Sequence, residues 1–173
     1  MNINLKIMKM KFYLILICFF ALTSCNLREI NYSDDEIKLM KRNIVNHNDT
    51  ISYADYDLYI SNNSDFDSIY QNELLAYSLK IKEVYPNAYY DIFSNFLRIN
   101  NDGKFNPNDI LKLAKPEQDL LVYYLEEGAK KEQYYCIDVL AKFYEEGIYF
   151  EKNLKKSDSL TNINIYPKEV SRP

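Results

Sequence analysis

Apolar side chains recur along most of this chain at the spacing of an amphipathic helix. In the clearest example, Ile37, Met40 and Ile44 are three and four residues apart, so they share one helix face. Ser33 precedes this stripe and opens an S-x-x-E capping box, a signal that starts helices. The pattern predicts a helix that begins after this box and ends near Asn46–Asn48.

The same spacing, with residues that start or stop helices, predicts more helices further along. Ala54 and Leu58 are expected on the apolar side of the second helix. Pro86 and Pro116 suit a first helical turn, where no N–H is needed, and Gly147 suits a helix end. The remaining predicted helices span about 51–60, 66–83, 86–99, 116–130 and 133–146, with a short helical turn after Pro107 and a short helix from Asn153. We therefore expect an all-α fold.

One short string recurs along the chain. Residues 74–79 read Leu-Leu-Ala-Tyr-Ser-Leu, and residues 120–125, 46 positions later, read Leu-Leu-Val-Tyr-Tyr-Leu. Self-similarity at this period is typical of stacked helix pairs, in which neighbouring pairs cover each other's apolar faces. The expected architecture is a short α-solenoid of antiparallel helix pairs.

Residues 124–157 carry the positions of a known helical repeat. The matched residues are Gly128, Ala129, Cys136, Leu140, Ala141, Tyr144 and Gly147. On these residues the stretch resembles the Sel-like repeats, a subclass of the tetratricopeptide type. The resemblance implies that the small residues let two helices approach closely and that the tyrosine fills the gap beside them. Glu132 departs from the family's turn glycine, and Asn153 replaces an aspartate at the start of the next unit.

Two weaker units extend the resemblance to about residues 48–157. One places Ala88, Ile92 and Phe93 on the same pattern, and the other begins near Asn48 with Ser52 at the small position. Repeats of this type usually bind proteins or peptides on a concave face. The resemblance therefore implies an interaction module, although a fold alone does not establish a function.

The first 25 residues have the arrangement of a targeting signal: basic residues, an apolar run and a cleavage site, in that order. Lys6, Lys9 and Lys11 precede an uncharged apolar run over 12–22, and Leu-Thr-Ser leads into Cys25. This arrangement resembles the signal and cleavage site of bacterial lipoproteins, which implies that Cys25 carries the lipid. The run is shorter than the roughly 20 residues of a membrane span. A short core helix and an uncleaved anchor are the alternatives.

These signals divide the chain into four parts. We expect a signal peptide over 1–24, a lipid-anchored tether over 25–32, a helical-repeat domain over 33–160 and a polar tail over 161–173. The membrane is thus a partner through the N-terminal lipid. Asn26 is not the aspartate that retains some lipoproteins at the inner membrane, which favours the outer membrane in an organism that has one.

Composition narrows the classes of partner. Without the signal peptide, 18 Lys and Arg face 25 Asp and Glu, a net charge of −7, so no nucleic-acid partner is expected. Cys18 leaves with the signal and Cys25 carries lipid, so Cys136 has no disulfide partner within the chain. The 17 tyrosines and 9 phenylalanines must supply much of the packing in a chain without tryptophan.

No catalytic, cofactor or metal site emerges from the sequence. His47, the only histidine, lies in a polar turn, and Cys136 lies on an apolar helix face where a thiol is inert. Arg98 would occupy the first ligand position of an EF-hand centred on Gly103, which excludes that calcium site. The adjacent carboxylates Glu126, Glu127, Glu145 and Glu146 are expected on helix surfaces.

Paired tyrosines are the remaining signal. They are Tyr89 and Tyr90, Tyr123 and Tyr124, and Tyr134 and Tyr135. Adjacent residues on a helix point about 100° apart, so we expect one of each pair in the core and the other on an exposed groove. Tyrosine is favoured at protein interfaces, and these six residues are the candidate interface; packing of both members between helices is the alternative.

The sequence thus favours a non-enzymatic, membrane-anchored protein-binding module of the cell envelope. One concrete form is an immunity-type protein that neutralises a toxin there. An envelope hydrolase that uses carboxylates alone is the first alternative, and it requires two acidic residues from different helices in one cleft. A self-associating structural envelope protein is the second.

Cys25→Ala is expected to abolish lipid attachment and to release the protein or leave it as an unprocessed precursor. A thioether-linked diacylglycerol needs the thiol, and a protein held by one signal alone binds membranes only marginally. Metabolic labelling with a fatty acid and membrane fractionation measure both effects. Membrane attachment of the variant at the wild-type level, with no lipid label on either protein, would contradict the expectation.

Overall fold

A computed structural model describes residues 32–63 and 68–162, and the regular structure in these two ranges is all helical. Seven α-helices and one 3₁₀ helix form there, and neither range contains a strand. The elements are α1 (Asp34–His47), α2 (Thr50–Asn63), α3 (Ser68–Ile81), α4 (Asn87–Ile99), the 3₁₀ helix (Pro107–Lys112), α5 (Lys115–Lys130), α6 (Tyr134–Glu146) and α7 (Leu154–Thr161). The predicted all-α fold is confirmed.

Residues 1–31, 64–67 and 163–173 lie outside the described part of the chain. The predicted signal peptide, Cys25, nearly all of the tether and most of the C-terminal tail fall on them. Among the described helices, none combines the length and the apolar character needed to cross a bilayer.

Local hydrogen bonds account for the helix boundaries. The Ser33 N–H donates to Glu36 Oε2 at 2.7 Å, and the Glu36 N–H donates to Ser33 Oγ at 3.4 Å, which confirms the capping box. Pro86 precedes α4 directly and Pro116 lies in the first turn of α5, close to the predicted starts. Gly147 ends α6 with φ +78°, a left-handed conformation that glycine adopts without strain.

The prediction for the apolar side of α2 was wrong. Ala54 and Leu58 are both exposed, whereas Tyr53, Tyr56 and Ile60 are buried. Two tyrosines and an isoleucine bury more apolar surface than an alanine and a leucine do, so the aromatic face of the helix turns inward. The face of α2 that contains Ala54 and Leu58 is therefore exposed, and it forms one wall of the groove described below.

Two clusters of buried side chains make up the core, and α4 belongs to both. Each described helix packs on the next along the chain, α1 also contacts α3, and α4 contacts α6. The first cluster joins α1, α2 and α3 to Ala88 of α4. The second joins Tyr89, Phe93 and Leu97 of α4 to the 3₁₀ helix, α5 and α6. Because α4 is buried toward both sides, it contributes to both clusters.

The two similar strings do not occupy equivalent positions. Leu74 is 1 % exposed, whereas Leu120, its counterpart 46 residues later, is 46 % exposed. Leu121 takes the buried position instead, followed by Leu125 one turn on. The corresponding buried positions of the two helices are therefore 47 residues apart. The similar strings are 46 residues apart, so the match between them is shifted by one residue from the match between buried positions.

A carboxylate holds the first three helices together. Lys41 of α1 donates to Glu73 Oε2 at 2.7 Å, and the Tyr56 hydroxyl of α2 donates to the same oxygen at 2.5 Å. Tyr77 donates to the other oxygen at 3.0 Å. Burial raises the pKa of Glu73, but these three donors outweigh it and leave the pKa below its ordinary value. The ionised Glu73 is thus a structural group.

A glycine sets the closest helix approach in the second cluster. A Cβ added at Gly128 would lie 2.5 Å from Cys136 Sγ and 2.8 Å from Tyr89 Cβ, so α5 meets both α6 and α4 at this point. Cys136, Leu140 and Ala141 are buried around it. Ala129, Tyr144 and Gly147 are not fully buried, and Tyr144 stacks on Phe150 with ring centroids 4.3 Å apart.

Gly128→Ala is expected to lower the free energy of unfolding by about 1–3 kcal/mol, the usual cost of overpacking. Alanine gains about 1 kcal/mol of helix propensity over glycine, but contacts of 2.5 and 2.8 Å force the helices apart. Denaturant titration of the full chain measures the change, with Glu126→Ala on the exposed face of α5 as the control.

Adding Cys136→Ala should relieve part of the clash, so the double variant is expected to lose less stability than the sum of the single changes. Strict additivity, or a stabilised Gly128→Ala, would contradict the close approach of these helices.

Candidate binding groove

Two adjoining pockets with shared lining residues form what we call the α2–α4–α6 groove, which these three helices line together with α3. Its outer end has a volume of about 590 Å³ and its inner end about 400 Å³. Asp57, Ser61, Tyr90 and Asp91 line both ends. The outer end adds Tyr53, Ala54, Leu58, Tyr85, Asn87, Gln133 and Tyr135, and the inner end adds Gln71, Leu74, Ser94, Asn95, Arg98 and Gly103.

Two of the paired tyrosines form an aromatic wall of this groove. Tyr90 of α4 and Tyr135 of α6 have ring centroids 5.0 Å apart. Phe105 supports Tyr90 from the other side, edge to face at 6.0 Å. Tyr135 is 54 % exposed, so the wall continues to the surface. The exposed part of the Tyr135 ring is the part of this wall that a ligand can contact.

The other paired tyrosines lie elsewhere, and the expectation of one core residue per pair holds for only part of the set. Tyr89 is buried, as expected for the partner of Tyr90. Tyr123 is exposed and Tyr124 is half-buried against Tyr89, outside the groove. Neither Tyr134 nor Tyr135 is buried, because Cys136 and Ile137 take the core positions at the start of α6.

A chain of hydrogen bonds under the groove connects α2, α3 and α4. The Tyr53 hydroxyl lies 2.7 Å from Ser78 Oγ and 2.9 Å from Asp91 Oδ2. The Ser78 hydroxyl donates to the Leu74 carbonyl at 2.8 Å. These three bonds need three protons, and the two hydroxyls supply two. A protonated Asp91 supplies the third, because it can donate to Tyr53 while Tyr53 donates to Ser78.

The electrostatic environment of Asp91 favours that proton. Burial first, and the nearby Asp57 carboxylate second, raise the pKa of Asp91 from 3.8 to about 7, against the opposing effect of its bond to Tyr53. Burial also raises the pKa of Asp57, and the Arg98 guanidinium counteracts it. The groove therefore contains two carboxyl groups with raised pKa values, and the pKa of Asp91 lies near neutral pH.

Arg98 does not form an ion pair with these carboxyl groups. Its Nη1 donates to the Gly103 carbonyl at 3.4 Å, and its guanidinium lies 5.6 Å from the centre of the Phe105 ring. Within residues 32–63 and 68–162, no Lys, Arg or His nitrogen lies within 4.0 Å of an Asp57 or Asp91 oxygen.

The other residues considered for chemistry lie apart from the groove. Burial raises the pKa of the Cys136 thiol to about 12, so it is inert as a nucleophile at neutral pH. His47 is exposed at the end of α1. Glu126, Glu145 and Glu146 are exposed and Glu127 is half-buried beside Lys130, which agrees with the expected helix surface. Among the described residues, no three His, Cys, Asp or Glu side chains cluster as metal ligands.

Sequence reasoning missed Asp57, Asp91 and Gln71. The search for carboxylates considered only adjacent pairs, whereas Asp57 and Asp91 are 34 positions apart on different helices. A signal for Asp91 was present: it lies between Ala88 and Asn95, at i−3 and i+4, and both are buried. An acidic residue in the middle of a buried helix face is unusual and indicates a partner or a site.

Comparison of the chain with protein-family models, with curated proteins and with solved structures finds no match.

Asp91→Asn is expected to raise stability relative to the wild type, increasingly so from pH 5 to pH 7. The folded pKa of about 7 exceeds the unfolded value near 3.8, so the folded state holds an extra proton in this window and the wild type loses stability as pH rises. The difference should grow by about 1 kcal/mol per pH unit and level off above pH 7.

Thermal and denaturant unfolding at pH 5, 6, 7 and 8 measure this difference. The asparagine amide has both a donor and an acceptor for the contact with Tyr53, and Asp138→Asn, at an exposed position on α6, is the matched control. A stability difference for Asp91→Asn that does not change with pH would contradict an Asp91 that titrates near neutrality.

Proposed function

We propose that this chain is a lipid-anchored, non-enzymatic protein-binding module of the cell envelope, built as a short α-solenoid of helix pairs. The observation that carries the proposal is the α2–α4–α6 groove, which extends over three helices and reaches from an aromatic outer wall to a polar inner end. Its volumes lie in the range of ligand clefts. The exposed Tyr135 and Leu58 provide apolar contact area of the kind that protein interfaces use.

The proposed repeat identity draws support from particular residues. Gly128 lies where the Sel-like pattern has a small residue, and its closeness to Cys136 is what that pattern requires. Glu132, which departs from the family's turn glycine, has φ +60°, the backbone region that favours glycine. Asn153 replaces an aspartate and still caps α7, because its Oδ1 accepts from the Lys156 N–H at 3.0 Å.

The proposed location follows from the sequence before the helical part. Cys25 is the proposed lipid site, and a tether over 25–32 has a reach of at most about 25 Å. A groove on a domain held this close to a membrane meets partners at the same surface, and the outer membrane is the favoured one. Neutralisation of a toxin in the manner of immunity proteins is one concrete form of this function.

One observation favours a second candidate, an envelope hydrolase that uses carboxylates. Asp57 and Asp91 come from different helices and line one groove, and unequal carboxyl groups are what such catalysis needs. Release of reducing ends from envelope glycans by the purified chain, lost in Asp91→Asn, would favour this candidate. A self-associating structural protein is the remaining alternative, and the molar mass in solution addresses it.

A photo-crosslinking residue at Leu58 is expected to capture one defined envelope protein in living cells. Leu58 lies on the groove wall and is 44 % exposed. The matched control is Leu120 on α5, which is 46 % exposed and lies outside the groove. Mass spectrometry identifies the captured protein.

Ala54→Arg, which fills the outer end, should abolish the Leu58 crosslink, whereas Ala54→Ser should retain it. Equal capture at Leu58 and Leu120, or capture that Ala54→Arg leaves unchanged, would remove the groove as a protein-binding surface.

A further inference from the structure

Four oxygen atoms form a line of close contacts from α4 through α2 into α3. The Tyr53 hydroxyl lies 2.9 Å from Asp91 Oδ2 on one side and 2.7 Å from Ser78 Oγ on the other. The Ser78 hydroxyl in turn lies 2.8 Å from the Leu74 carbonyl oxygen. Tyr53 and Ser78 are buried from solvent, whereas Asp91 is half-buried and lines the groove. Protons therefore enter or leave this line at Asp91.

With a proton on Asp91, all three contacts in the line are hydrogen bonds. A carbonyl oxygen only accepts, so Ser78 donates its single proton to Leu74. Ser78 must then accept from Tyr53, and Tyr53 must accept from the protonated Asp91. This is the only assignment of donors that gives each contact a proton. The hydrogen bonds then point from the groove into α3.

Without that proton, the same contacts cannot keep their directions. An ionised carboxylate only accepts, so Tyr53 has to donate to Asp91 and has no proton left for Ser78. Two oxygen atoms 2.7 Å apart with no proton between them repel each other. Ser78 removes the repulsion when it turns its hydroxyl from the Leu74 carbonyl to Tyr53. The hydrogen bonds then point from α3 toward the groove.

We propose that Asp91, Tyr53 and Ser78 form a pH-responsive relay, in which the hydrogen bonds reverse direction when Asp91 releases its proton to water in the groove. The relay links the charge of the groove on α4 to the hydrogen bond between the Ser78 side chain and the Leu74 carbonyl on α3. Burial and the Asp57 carboxylate raise the pKa of Asp91 to about 7, which puts the reversal near neutral pH.

The groups that surround Asp91 leave this titration to carboxyl groups. The titratable and charged ones are Tyr53 and Asp57 of α2, Tyr85 ahead of α4, Tyr90 and Arg98 of α4, and Tyr135 and Cys136 of α6, while α3 contributes the neutral Ser78. Burial raises the pKa values of Tyr53, Tyr90 and Cys136, so these three groups stay protonated through neutral pH. The Asp57 carboxylate opposes ionisation of Asp91, whereas the Tyr53 hydroxyl favours it.

The carbonyl carbon of Leu74 reports the reversal in the unaltered full chain. Its NMR shift, followed from pH 5 to pH 9 in detergent micelles, should change with the same midpoint as the Asp91 carboxyl carbon, because it loses the Ser78 donor. The carbonyl carbon of Ala76, on the exposed side of α3, is the control and should not follow this midpoint. A Leu74 shift that stays constant while Asp91 titrates would overturn the relay.

Ser78→Ala distinguishes the relay from a direct effect of the Asp91 charge on Leu74. Without the Ser78 hydroxyl, the Leu74 carbonyl shift should no longer follow Asp91, whereas a direct effect of the charge would persist. Tyr53 no longer has to donate to Ser78, so the apparent pKa of Asp91 should fall by about 0.5–1. Ser78→Thr keeps a hydroxyl that reaches the carbonyl one turn earlier, and it should restore both properties.

Ser94→Ala is the matched control for Ser78→Ala. It removes another buried hydroxyl at the inner end of the groove, one that donates to the Asp91 backbone carbonyl and lies outside the relay. Unfolding curves show whether each variant is folded. A higher apparent pKa of Asp91 in Ser78→Ala, or an equal fall in both alanine variants, would overturn the proposal.

Asp91→Asn should lock the relay in its low-pH direction. Its side-chain amide can donate to Tyr53 as the protonated carboxyl group does, so the Leu74 carbonyl should keep its low-pH shift up to pH 9. A Leu74 shift that still titrates in this variant would contradict the role of Asp91. None of these measurements involves a partner, so they test the relay independently of the proposed protein-binding function.

Discussion

The Tyr53 hydroxyl connects α2 to the two helices that follow it along the chain. It lies within hydrogen-bond distance of Ser78 on α3 and Asp91 on α4, and it is buried from solvent with its ring. The first core cluster contains Tyr53, and the second begins at Tyr89 on the other side of α4. A phenylalanine at this position would keep the packing and lose the hydrogen bond between α2 and α4. Tyr53 and Asp91 both line the outer end of the groove, so this link lies in its wall.

Tyrosine hydroxyls that donate to carboxylates recur throughout the described helices. Tyr53 makes such a contact with Asp91. Elsewhere, Tyr56 and Tyr77 donate to Glu73, Tyr89 donates to Glu83, and Tyr149 donates to Asp119. A tyrosine buries a large ring and still satisfies a polar tip, while the carboxylate gains a donor without a second charge. This explains how a chain with 17 tyrosines, no tryptophan and an acid excess builds a core that still orients its helices.

The fold was largely predictable, and the site was not, for a physical reason. Helix signals act over one or two turns, so a single sequence reveals them. They include apolar stripes such as Met40 with Ile44 and helix-capping residues such as Ser33 and Gly147. The face of α2 was misjudged because its two tyrosines were not weighed against Ala54 and Leu58. Asp57 and Asp91 line one groove only through the tertiary arrangement of α2 and α4, which no local pattern encodes.

A buried carboxyl group with a pKa near neutrality indicates a candidate site, whereas an exposed surface carboxylate does not. Asp91 costs the folded state stability whenever it is charged, because burial and Asp57 both oppose that charge. An apolar residue between Ala88 and Asn95 would avoid the cost, as Ile92 and Phe93 do at the adjacent positions. The hydrogen bond between Asp91 and Tyr53 offsets part of this cost, and the Arg98 guanidinium opposes the rise in the pKa of Asp57. Packing alone therefore does not explain Asp91, and a buried carboxyl group of this kind marks the groove as the candidate site of the helical domain.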